Sequence, residues 1–85
     1  SQQFFTENFN LYPNPTSGKI TIENSSNLNM ENITIIDVLG RVVYQATPQS
    51  ATKDQVDISN LVSGLYTVHI KTDKGIVVKK LEVLK

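Results

Sequence analysis

The sequence predicts an all-β domain, a seven-stranded antiparallel β-sandwich of immunoglobulin-like type, on three observations. Short apolar runs alternate with period two, no helical periodicity outlasts a single turn, and Gly, Pro, Asn and Asp punctuate the chain at sandwich-like spacing. A length of 85 residues holds one domain, with 1–8 read as the end of a linker and 9–85 as the folded unit. A small open barrel is the alternative with the same strand count.

Each element has its own warrant. Ser1 to Asn8 is polar apart from Phe4 and Phe5, which either pack as a short edge strand or stay mobile. Phe9 to Tyr12 reads as a first strand, ended by Pro13 and Pro15, neither of which can donate to a ladder. Gly18 lies in that turn, available for a positive φ. Lys19 to Glu23 alternates strictly, with Ile20 and Ile22 on one face. Asn32 to Val38 is apolar on both faces, so it should be the more covered strand. Asp37-Val38-Leu39-Gly40 should close a tight hairpin, with Asp37 bonding local backbone and Gly40 left-handed. Arg41 to Ala46 returns with Val42 and Tyr44 on one face, and Gln55 to Ile58 sends Val56 and Ile58 inward. At the following corner Leu61 is buried, and Tyr66 either forms a tyrosine corner, its hydroxyl bonding upstream backbone, or is an ordinary core residue. Leu65 to Thr72 points Tyr66, Val68 and Ile70 inward and Thr67, His69 and Lys71 outward. Asp73-Lys74-Gly75 fits a three-residue hairpin loop, and the last strand, Ile76 to Leu84, needs a bulge near Lys79 to reconcile Ile76-Val77-Val78 with the later alternation.

Charge and composition exclude several functions. Eight basic residues balance eight acidic ones, which leaves no global field for nucleic acid or an anionic membrane. The lysines gather late, however: Lys71, Lys74, Lys79, Lys80 and Lys85 stand against Asp73 and Glu82. Without cysteine there is no disulfide, thiolate or cysteine metal site. No run is long enough for a membrane helix, so stable membrane insertion is not expected. The start at Ser1, with no leader pattern, fits a fragment cut from a longer protein that would carry any targeting signal of its own elsewhere.

Chemistry is sparse as well. His69 is the only histidine and falls on the solvent face without a partner, and Ser17 and Ser63 sit in turns that favour serine for backbone reasons. Asp54 and Asp57 lack the spacing of a calcium loop and read better as turn residues. Phe9, Tyr12, Tyr44 and Tyr66 fall where a core needs them, so a row of aromatics for sugars or bases is missing. Asn24-Ser25-Ser26 and Asn32-Ile33-Thr34 match the glycosylation pattern, a frequent chance occurrence. No catalytic residue, cofactor site or metal site is assigned, and an enzyme is not expected. Lys79-Lys80 is left without a structural task.

Four blocks in order carry a resemblance: Leu11-Tyr12-Pro13-Asn14-Pro15-Thr16-Ser17-Gly18; Ile36-Asp37-Val38-Leu39-Gly40-Arg41-Val42-Val43; Val56-Asp57-Ile58-Ser59-Asn60-Leu61 with Gly64-Leu65-Tyr66; and a lysine-containing final strand. Together they resemble the type A C-terminal sorting domain of the type IX secretion system of Bacteroidota, over about Phe9 to Lys85. The resemblance implies an address label on an exported cargo, in the periplasm in transit and then at the outer-membrane surface or secreted. Its partners would be the translocon, shuttle and sortase proteins of the outer membrane, with the sortase cutting at or before Ser1 to Asn8 in members that are anchored. By position Pro13, Asn14, Pro15 and Gly18 match its first block, Asp37, Gly40 and Arg41 its central hairpin, Gly64 and Tyr66 its GxY block, and Lys79 and Lys80 its final block. A terminal strand on an open edge offers strand addition and charge pairing to a receptor, and equally a weak edge-strand dimer in place of a monomer. The competing expectation is a small carbohydrate-binding or adhesion sandwich.

Overall fold

The computed structural model describes residues 9–25, 28–48, 50 and 52–85, so the expected linker with Phe4 and Phe5 lies outside the described residues. The strands are β1 (Phe9–Tyr12), β2 (Lys19–Asn24), β3 (Met30–Asp37), β4 (Val42–Ala46), β5 (Lys53–Asp57), β6 (Gly64–Thr72) and β7 (Gly75–Val83). They make a three-stranded sheet ordered β1-β2-β5 and a four-stranded sheet ordered β4-β3-β6-β7, with every strand pair antiparallel. This is the expected sandwich, with one difference from a constant-type immunoglobulin domain: the fourth strand pairs with the third instead of joining the fifth.

Period-two alternation builds the core. Phe9, Ile20, Ile22 and Val56 from the smaller sheet meet Ile33, Ile35, Val68, Ile70, Val77 and Val83 from the larger one, all at 0% exposure. Each such side chain contributes about 1.5–3 kcal/mol by leaving water, so inter-sheet burial is the main favourable term.

Several expectations are corrected by register. β3 and β4 slip between Ile35 and Ile36, so that Ile35 opposes Tyr44, Ile36 opposes Val42, and Val43 is the extra residue of a bulge. Val42 and Tyr44 therefore do not share a face: Tyr44 and Val43 pack against the core while Val42 is exposed. The bulge expected near Lys79 is absent, because β6 and β7 pair without a slip from Gly64↔Val83 to Thr72↔Gly75. The run Ile76-Val77-Val78 is resolved differently, with Val77 buried and Ile76 and Val78 left 43% and 45% exposed. The β6–β7 loop is the two residues Asp73 and Lys74, not three. Thr72 favours the shorter turn: its Oγ1 donates to Gly75 O (2.7 Å) and accepts the Lys74 N–H (3.2 Å). Val38 lies in the β3–β4 turn and is exposed, as is Tyr12, whose hydroxyl donates to Glu23 Oε2 at 3.4 Å.

After β1 the chain changes sheet. Past the cis Tyr12–Pro13 and Asn14–Pro15 bonds, Thr16 bridges Val83 in parallel, so the segment closes one flank of the sandwich. Gly18 is not among the glycines with positive φ, which are Gly40, Gly64 and Gly75. Thr16 shapes the turn instead, with Oγ1 donating to Lys19 O (3.1 Å) and accepting the Gly18 N–H (3.3 Å).

Candidate functional site

The first block and the last strand are tied together. Asn14 Nδ2 donates to Lys80 O, and Asn14 Oδ1 accepts the Glu82 N–H, both at 3.0 Å. Thr16 N–H donates to Glu82 O (2.9 Å), and Thr16 O accepts the Leu84 N–H (2.8 Å). One short asparagine side chain thus does for β7 what a strand would do. Pro13 and Pro15 flank it without donors of their own. Beyond β7, Lys85 N–H donates to Ser63 Oγ at 3.0 Å, and Lys85 Nζ donates to Ser59 O.

The central hairpin is held by one carboxylate. Asp37 Oδ1 accepts the N–H groups of Leu39 (2.9 Å) and Arg41 (3.0 Å), and Oδ2 pairs with Arg41 Nε at 2.9 Å. The Arg41 N–H first, with the Arg41 guanidinium and the Leu39 N–H, holds the Asp37 carboxyl below its ordinary value against partial desolvation. Gly40, at φ +85°, completes the turn by donating its N–H to Asp37 O at 3.0 Å. At the next corner Tyr66 donates its hydroxyl to Val62 O at 2.6 Å while its ring is 7% exposed, which settles the tyrosine corner.

Strand pairing then gathers these blocks at one end of the four-stranded sheet. Asp37 opposes Tyr66 and Tyr66 opposes Leu81; one residue along, Ile36, Thr67 and Lys80 form the next row, and Leu65 opposes Glu82. Two shallow depressions share Leu65 and Lys80. The first, about 240 Å³, is lined also by Asp37, Val38, Tyr66 and Thr67; the second, about 300 Å³, by Asn14, Pro15, Leu81 and Glu82. They form a trough with an apolar floor. Arg41 offsets the Asp37 charge on one wall, and the Lys80 ammonium on the other has no ion pair among the described residues.

Not every motif residue joins this trough. Gly18 lies away from it, its carbonyl accepting the Ile58 N–H at 2.8 Å, and Gly64 borders Tyr66, where an added methyl would meet Cε1 at 3.9 Å in ordinary contact. Lys79 and Lys80 are separated by alternation: Lys80 points outward opposite Thr67, whereas Lys79 stands half-buried on the core-facing side opposite Val68. An inward-pointing charge on an edge strand disfavours indiscriminate edge pairing, and this is a structural role the sequence did not reveal for Lys79. Sequence reasoning also missed Thr16, Val38 and Leu65. Leu65 carried a signal, being apolar at an outward position of β6, where it is 62% exposed.

Elsewhere the surface offers less. The flank between β4 and β5 is an open cleft of about 750 Å³ lined by Thr21, Tyr44, Lys53 and Asp54 among others. Desolvation, and then Asp54 and Asp57, push the Tyr44 hydroxyl above its ordinary value. Asp54 and Asp57 themselves fall on opposite faces of β5, and the Ser59 N–H holds Asp57 low by bonding its carboxylate at 3.0 Å. Among the described residues no group of three potential metal donors exists, and no helix is long and apolar enough to cross a membrane. His69 is half-buried on the outer face with Nε2 3.3 Å from Thr67 Oγ1.

A family model described as a secretion system C-terminal sorting domain covers residues 10–84. No curated protein matches the chain.

Proposed function

This chain belongs to the type IX secretion system C-terminal sorting domains, a sorting signal for export to the outer membrane or beyond, and from that premise we propose how the signal is presented and used. The trough at the end of the four-stranded sheet is the surface that the translocon and shuttle proteins engage once the cargo is in the periplasm. One observation carries this: blocks far apart in sequence, at Asn14-Pro15, Asp37, Tyr66 and Lys80, line adjoining depressions. Core packing explains Tyr66, but Leu65, Val38 and Lys80 are exposed and contribute little to the fold.

After transit, a surface sortase cuts in the segment preceding β1, and the cargo is then anchored or released. In this scheme the domain is the substrate of the cut and not its catalyst. The carbohydrate-binding alternative loses ground, because Tyr12 is the one aromatic among the described residues that is clearly exposed, and a lone ring is no stacking platform.

The test is delivery of a fluorescent reporter fused to residues 1–85 in a cell with a working type IX system. Leu65→Ser and Lys80→Glu change exposed side chains, so the domain keeps its melting temperature while the reporter stays in the periplasm. Undiminished surface delivery by the double variant would remove the trough from consideration. Failure of the unsubstituted domain to deliver the reporter would remove the sorting role itself.

A further inference from the structure

Among the described residues, the outer edge of β7 is covered along only half its length. In an antiparallel strand alternate residues turn their N–H and C=O to the same side, and the contacts of Lys80 O, Glu82 and Leu84 with Asn14 and Thr16 show that even-numbered residues face away from β6. Ile76 and Val78 share that direction. No described residue bonds their outward N–H and C=O groups, nor the Lys80 N–H. The open stretch, Gly75 to Lys80, is about 17 Å long at strand spacing, enough for one added strand.

We infer that this open half-edge receives an extended segment of a partner protein whose residues alternate between apolar and acidic. The inference rests on the sorting reading above and names how the partner binds. Side-chain chemistry selects the occupant. On the outer face Ile76 and Val78 stand exposed beside Lys71 and His69 of β6, with Lys80 at one end and Lys74 in the turn at the other. Within that stripe of β6 and β7 there is no carboxylate: Asp73 in the turn accepts the Asn29 N–H at 3.1 Å, and Glu82 lies beyond Lys80 under Asn14. An added strand therefore gains apolar contact at Ile76 and Val78 and charge pairing at both ends when it carries acidic residues there. A second copy is the wrong occupant. Antiparallel self-pairing about Val78 would set Ile76 against Lys80 and stop there, because Asn14 and Thr16 already hold the outward groups of Glu82, so the two copies would share only the short stretch from Ile76 to Lys80 with no acidic partner for either Lys80.

Proline at an outward-facing position supplies the test. Val78→Pro removes an N–H that the sandwich does not use, as edge strands tolerate, whereas Val78→Thr keeps it. With melting temperature near that of the unsubstituted domain, Val78→Pro should lower reporter delivery roughly tenfold or more, and Val78→Thr should deliver normally. Should Val78→Pro fail to fold, Ile76→Pro makes the same test at the neighbouring outward N–H. In a second arm, a peptide of alternating valine and glutamate is titrated into nitrogen-labelled domain. Slowed exchange and shifted signals at Ile76, Val78 and Lys80 support the inference, and no change there, or changes elsewhere, overturn it. Normal delivery by the proline variants also overturns it, as does a β7-dependent dimer in sedimentation. If the unsubstituted domain delivers nothing, the sorting reading has failed, and the peptide arm still decides strand addition.

Discussion

At the residue scale, small groups decide more than their size suggests. The Tyr66 hydroxyl closes the corner before β6 through Val62 O, and Tyr66→Phe keeps the ring while leaving that carbonyl without its partner. A loss of about 1 kcal/mol is expected, read as a lower midpoint in urea with an unchanged slope. The glycines make a sharper contrast. At neither Gly18 nor Gly40 would a methyl meet any atom within 4 Å, yet only Gly40 is left-handed, at φ +85°. Gly40→Ala should cost about 1–2 kcal/mol through backbone strain alone, and Gly18→Ala should be neutral or slightly stabilising. Thermal melts of the pair check this. A delivery defect in Gly18→Ala without a melting change would assign that glycine to recognition.

At the element scale, the β3–β4 turn is a charge-dependent structure. Folding holds the Asp37 carboxyl below its ordinary value, and that of Asp57 at the end of β5 likewise. Groups depressed on folding contribute stability that is present above their unfolded values and is lost as pH falls through the folded ones. Unfolding free energy should thus be flat near neutrality and fall below about pH 4, with Asp37→Asn reducing the acid-side slope; denaturant titrations across pH measure both. The hairpin was legible in sequence because Asp37 and Gly40 act within five residues of each other. β2, β5 and β6 were legible too, since each buries one face and alternation alone specifies it. Val42 and Tyr44 were misread because parity is a relation to a partner strand, and the slip that places Val43 in a bulge leaves no local trace; Lys79 was misread because unbroken alternation from Val77 to Val83 puts a lysine at an inward position, where its residue type argues against it. The β6–β7 loop was read one residue too long because Thr72, an ordinary strand residue by type, bonds across the turn.

At the scale of the whole molecule, the ends of the domain hold each other. Asn14 and Thr16 reach across 66 to 68 residues of sequence to Lys80, Glu82 and Leu84, a pairing that no local pattern announces. The trough was illegible for the same reason, although every block lining it was visible separately. Leu81 is 1% exposed and Val83 0%, so deleting residues 81–85 strips buried side chains worth about 3–6 kcal/mol together with the clamp. Set against a total of about 5–15 kcal/mol, the loss should abolish the cooperative transition in circular dichroism. A truncation that blocks delivery would therefore report unfolding, and point substitutions such as Lys80→Glu are the informative variants. The clamp also carries a meaning in time. A ribosome completes residues 80–85 after everything that precedes them, and until then neither Asn14 nor Thr16 has its partner. The surface proposed above for recognition is thus assembled last, and a chain whose synthesis stops before Lys80 presents only part of it.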